Sequence, residues 1–308
     1  MNLGVGIALV GVVVLATGCG PNAGAHERLG DQAYTESRFA DAVHEYQLMA
    51  TSGGTVGADL WAKLGAAGLR QPDYRVAADA YRELAATDAL RVDEAVQGLD
   101  RAARGAERAG DYSTLQAVLL TLRAVAPQWT SGRYALTVMR HVTTSPETRL
   151  ALLPLAAATA SNQRMADSLL GGYADALREA ENCDKAIRVY RSVMRRSTSS
   201  DLEASMLHGR ASCAYALGLE HLPEEPWAAE GWFLEAVDTG TDGEIGRLAL
   251  IGLGDARAAQ GDLIGAALAY QAAMDATSDQ DSITIRAMRK LNDIATASSM
   301  PDSPEGSP

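Results

Sequence analysis

Chemistry in this 308-residue chain has to start from five histidines, three cysteines and a good supply of carboxylates. A metal-binding helix needs two imidazoles three or four residues apart, because that spacing puts both on one face. His26, His44, His141, His208 and His221 never meet it, and His44-Glu45 lacks the second histidine of a zinc-protease helix. They read as solvated histidines on helix surfaces. The glycine-rich run from Thr51 to Gly57 has no Lys-Ser or Lys-Thr with which to hold a phosphate, so it reads as a flexible connector. No Gly-x-Ser-x-Gly nucleophile turn occurs, and no Cys-x-x-Cys pair. Carboxylates such as Asp201 and Glu203 are scattered as on a solvated face. The residues therefore predict no catalytic centre, no metal and no cofactor.

What remains is the framework. Alanine is abundant, Phe occurs twice and alternating runs of β-branched residues are missing, which predicts an all-α chain. A formal net charge of −12 argues against a nucleic-acid partner and against adsorption of the folded body to anionic lipid. The stretch from Leu3 to Gly18 carries no charge but is too short and glycine-rich to span a bilayer comfortably, so it reads as the core of a secretory signal. Its ending, Leu15-Ala16-Thr17-Gly18-Cys19, resembles the lipobox of bacterial lipoproteins. That resemblance implies a signal peptide over 1–18, lipidation of Cys19 and a short tether over 19–25. The body is then extracytoplasmic, anchored to a bacterial membrane and facing the periplasm. An uncleaved N-terminal anchor helix is the alternative, and it leads to the same compartment.

The chain also repeats itself. LGDQAYTESRFADAVHEYQLMA (29–50) matches LGDARAAQGDLIGAALAYQAAM (253–274), and Trp61, Leu64, Gly65, Tyr74, Ala77 and Tyr81 form a third copy. These stretches resemble the tetratricopeptide repeat (TPR), a helix-turn-helix unit of about 34 residues. Two antiparallel helices approach closely where a small side chain faces a large one, so Gly65 and Ala77 admit what Trp61 and Tyr81 fill. Gly30 with Ala42, and Gly254 with Ala266, keep the same separation. The resemblance implies an all-α right-handed superhelical solenoid of about seven units, near 26–52, 58–88, 95–127, 130–160, 166–196, 202–238 and 246–276. A capping helix over 282–297 and a disordered tail over 298–308 complete the expectation. The 130–160 unit is degenerate, with Pro146 and Pro154 blurring its boundaries, and the turn LEHLPEEP of the sixth unit is longer than the family's.

In proteins of this kind the first helices of successive units line a groove that binds peptides or partner helices. Carried onto this chain, the register puts Glu27, Asp31, Tyr34, Asp59, Leu69, Arg70, Asp100, Arg104, Glu107, Arg108, Asp175, Arg178 and Arg210 on that face, changing from acidic to mixed charge along its length. Trp227 and Trp232, beside the long turn, form a second candidate contact. Cys183 falls near the turn of one unit and Cys213 late in the next first helix, where two outcomes stay open: a disulfide, or two buried free thiols. The expected function is a non-enzymatic, lipid-anchored scaffold for protein partners, namely an accessory subunit of a membrane-embedded complex serving envelope assembly or electron transfer. The alternatives are an extracytoplasmic solute- or peptide-binding lipoprotein and, third, an envelope enzyme with a site built from scattered acids.

Overall fold

The computed structural model describes residues 23–52, 56–129, 131–197, 200–240, 243–277 and 281–299. The signal and lipobox expectations fall outside them, as do residues 53–55 of the glycine-rich connector and 300–308 of the tail; residues 298 and 299, expected to be disordered tail, are instead the end of the last helix. The described residues hold fifteen α-helices and no strand, grouped into two compact units that divide between Trp129 and Thr130.

The first unit holds three helical hairpins: α1 (Ala23–Thr35) with α2 (Phe39–Thr51), α3 (Ala58–Arg70) with α4 (Tyr74–Thr87), and α5 (Val92–Ala109) with α6 (Tyr112–Val125). The second holds four: α7 (Gly132–His141) with α8 (Pro146–Ala158), α9 (Gln163–Glu179) with α10 (Cys183–Met194), α11 (Ser200–His221) with α12 (Pro226–Val237), and α13 (Glu244–Ala259) with α14 (Leu263–Asp275). A last helix, α15 (Ser282–Ser299), follows. The seven TPR-like hairpins and the closing helix expected from sequence are thus present, in two units. Helix α1 already begins at Ala23, inside the stretch expected to be tether.

Turn chemistry sets the hairpins. Asp73, Asp111 and Asp262 each accept a hydrogen bond from the backbone N–H three residues on, at 2.8–3.1 Å, capping the second helix of a hairpin. Gly110 (φ 70°) and Gly261 (φ 85°) take the left-handed conformation that ends the first helix. In the degenerate unit, Pro146 starts α8, where its missing N–H costs nothing, and Pro154 lies inside that helix. Helix α11 extends to His221, so half of the long sixth turn is helix and 222–225 alone connect.

Small residues against aromatic rings hold the hairpins together. The Tyr81 ring lies between Gly65 of its own hairpin and Gly98 of the next; a Cβ on Gly65 would sit 2.8 Å from that ring. Phe233 is held likewise between Gly218 and Gly252, and the ring of Tyr46 covers Gly30. All three rings are buried. A larger residue at any of these glycines would push apart helices that pack at interior density.

Candidate functional site

The first-helix face of unit one is where the sequence predicts a groove. Glu27 and Asp31 of α1 meet Lys63 of α3, whose Nζ lies 2.8 Å from Glu27 Oε1 and 2.9 Å from Asp31 Oδ2. Burial pulls the ammonium pKa down, but the hydrogen bonds to Glu27 and Asp31 outweigh it and hold Lys63 above its ordinary value. The other Asp31 oxygen accepts the Tyr46 hydroxyl at 2.8 Å. Burial, then this bond, push the Tyr46 phenol well up. A hollow of about 420 Å³ opens beside them, bounded by Tyr34, Thr35, Ala62 and Ala66. Lys63 therefore offsets one of the two carboxylate charges that Glu27 and Asp31 bring to this face.

The other predicted residues of this unit are also engaged. Asp59 is exposed and pairs with Arg91 at 2.7 Å; Arg70 lies over the Phe39 ring, 4.6 Å from its centroid. Leu69 is half-buried. Asp100 pairs with Arg104 one turn on, Arg108 donates to the Arg104 carbonyl, and Glu107 is half-buried. The structure brings Glu27, Asp31 and Tyr34 together, and it leaves Asp59 and Arg70 on separate contacts.

In the second unit the Tyr190 hydroxyl donates to Asp175 Oδ1 at 2.7 Å with Arg178 beside it, and the Arg178 Nε is buried with no hydrogen-bond partner. Arg210 departs from the expected groove set. It turns toward its own hairpin's second helix, 3.7 Å from both Glu235 and Asp238, while its neighbours Gly209 and Cys213 pack on Tyr190 and Cys183 of α10. Trp227 is 70% exposed, whereas Trp232 packs against the core with Phe233. Cys183 and Cys213 form a disulfide, Cα atoms 5.0 Å apart, that joins the start of α10 to α11.

Of the histidines, His44, His141 and His208 are exposed and His221 faces Glu225 at 3.2 Å. His26 corrects the solvated reading: it is largely buried and lies 2.7 Å from Glu45. No group of three or more His, Cys, Asp or Glu gathers for a metal ion, and no helix is long and apolar enough to cross a membrane, among the described residues.

Sequence reasoning missed a recurring lock. Asp31 with Tyr46, Asp175 with Tyr190 and Asp255 with Tyr270 are each fifteen residues apart and hydrogen-bonded at 2.6–2.8 Å. The constant spacing after a Gly or Ala was the available signal. Ala66 occupies that place before Tyr81, so the lock skips the second hairpin.

No protein-family model matches the chain, and no curated protein matches it significantly. Among solved structures, the C-terminal part of a TPR repeat-containing protein from Cytophaga hutchinsonii is similar over 86% of this chain and 98% of its own, at 10% identity and a TM-score of 0.35. The TPR2AB domain of yeast Sti1, in a pHSP90 complex, covers 89% and 98% at 12% identity and 0.28. A tetratricopeptide repeat protein from Parabacteroides merdae covers 90% and 100% at 13% and 0.26. At such TM-scores the superpositions carry no weight, and the assignment of repeat type rests on the hairpin packing itself.

Proposed function

We propose that this TPR-like chain is a non-enzymatic scaffold, lipid-anchored outside the cytoplasm through Cys19, that holds partner proteins of a membrane complex close to the membrane. The observation that carries the reading is the Cys183–Cys213 disulfide, since a buried bond between two hairpins belongs to a chain that matures in an oxidising compartment. The apolar stretch ending in Leu15-Ala16-Thr17-Gly18-Cys19 supports the same compartment and supplies the anchor. The scaffold part is supported by what the first-helix faces offer: ion pairs, tyrosines and a shallow hollow, in place of a nucleophile and base. Lipid and protein contacts would add through effective concentration, so neither alone has to be tight.

The test compares wild type with Cys19→Ser by membrane fractionation and crosslinked pull-down. The expected result is wild type on the membrane with an integral-membrane complex and the variant in the soluble fraction. A variant that stays on the membrane would overturn the lipid anchor, and a wild type that brings down no protein would overturn the scaffold.

A further inference from the structure

In three places a cation of one element meets a carboxylate of the neighbouring hairpin: Lys63 with Glu27 and Asp31, Arg91 with Asp59, and Lys290 of α15 with Asp255 of α13. Across α7 and α9 the reach is instead from Arg140 Nη2 to the Met165 sulfur, 3.9 Å. Neither Arg140 nor Arg164 pairs with a carboxylate among the described residues, and both are exposed. Together they flank a hollow of about 380 Å³ walled by Leu136, Met139, Met165 and Leu169. Residues 131–166 carry four arginines against one glutamate, in a chain whose formal net charge is −12. The site is thus apolar, thioether-rich and positive, which suits an aromatic side chain flanked by carboxylates.

The same chain displays such a group. Trp227, in the first turn of α12, is 70% exposed, and the Asp, Glu, Lys and Arg side chains of the stretch around it are all acidic: residues 220–230 hold four glutamates and no Lys or Arg. Glu230 is taken by Arg257 and Gln260, and Glu225 faces His221. Glu220 and Glu224 are exposed and have no basic partner among the described residues. Trp227 thus stands exposed with two nearby glutamates in the sequence, Glu220 and Glu224, that no basic group engages among the described residues.

We infer that a second copy of this chain seats its Glu224-Glu225-Pro226-Trp227 loop in the α7–α9 seam, with Trp227 in the methionine-lined hollow and the glutamates against Arg140 and Arg164. Reciprocal seating closes a two-fold dimer; one-way seating makes a growing chain. A lipid surface is the poorer occupant, because the acid elsewhere on the body repels anionic headgroups.

The test uses the full-length chain in cells, with the photo-crosslinking substitution Trp227→p-benzoylphenylalanine. Illumination should give an adduct of two copies, with the linked peptide falling between residues 131 and 169. Arg140→Glu with Arg164→Glu should lower the yield roughly tenfold by like-charge repulsion. Since both arginines are exposed, circular dichroism should be unchanged. A probe-bearing copy with Glu224→Arg and Glu225→Arg should restore the adduct to that charge-reversed seam. An adduct to a different protein, an adduct elsewhere on this chain, a yield indifferent to the reversal, or no adduct would each overturn the inference.

Discussion

A side chain at position 65 has nowhere to go. Its Cβ would lie 2.8 Å from the Tyr81 ring, and that ring cannot retreat because Gly98 of α5 backs its other side. Gly65→Leu should therefore cost on the order of 1–3 kcal/mol by overpacking. The loss should reach α5 as well as the α3–α4 pair, since neighbouring repeats stabilise one another. Thermal melts of the purified variant check this; an unchanged melting temperature would mean that the ring is not clamped. Gly65 was legible in sequence because a glycine followed sixteen residues later by an aromatic recurs in three stretches. Gly98 was not, since its partner ring belongs to the preceding hairpin and the spacing that joins them varies with each loop.

Helices carry the next level, and α15 shows how a closing element is held. Arg247 of α13 is almost fully buried and places Nη1 and Nη2 2.6 and 2.9 Å from the Asp281 carboxylate, while Nη2 also reaches Thr284 and Nε the Ala273 carbonyl. Asp281 in turn caps α15 through the N–H groups of Ile283 and Thr284. The Arg247 hydrogen bonds first, and the Thr284 backbone next, hold the Asp281 carboxyl far below the usual carboxylate range. With its folded pKa below the unfolded value of about 3.9, the clamp's contribution is complete above that pH and drains as pH falls toward the folded value. Asp281→Asn should accordingly raise hydrogen exchange in the α15 amides about tenfold at pH 7, and the melting temperatures of variant and wild type should converge toward pH 2. Equal exchange rates at pH 7 would show that the apolar face alone seats the helix. That α15 exists was readable from its apolar positions Ile283, Ile285, Met288, Leu291 and Ile294, although Ile285 and Met288 turn out exposed, whereas the clamp was hidden, because Arg247 and Asp281 are 34 residues apart and neither belongs to the repeat pattern. The α7–α9 seam was hidden for the same reason: a degenerate hairpin offers no register from which to tell which face its arginines take.

At the scale of the whole molecule, sequence suggested one continuous array, and the structure divides it between Trp129 and Thr130 into units that each bury their own core. Short-range repeats look alike on both sides of that boundary, so periodicity gives no warning of it. If each unit carries its own cooperativity, a change confined to one should leave the other's transition in place. The disulfide supplies such a change. It lies wholly in the second unit and closes a loop with a sequence separation of 30, for which chain entropy gives about 3–4 kcal/mol of stabilisation. Tryptophans divide evenly as reporters, Trp61 and Trp129 in the first unit, Trp227 and Trp232 in the second. In urea, with Trp227→Phe and Trp232→Phe isolating the first unit, and Trp61→Phe and Trp129→Phe isolating the second, reduction should shift the second unit's midpoint to lower urea and leave the first where it was. If both midpoints move together, the two units unfold as one body, and the boundary at Trp129 has no thermodynamic meaning.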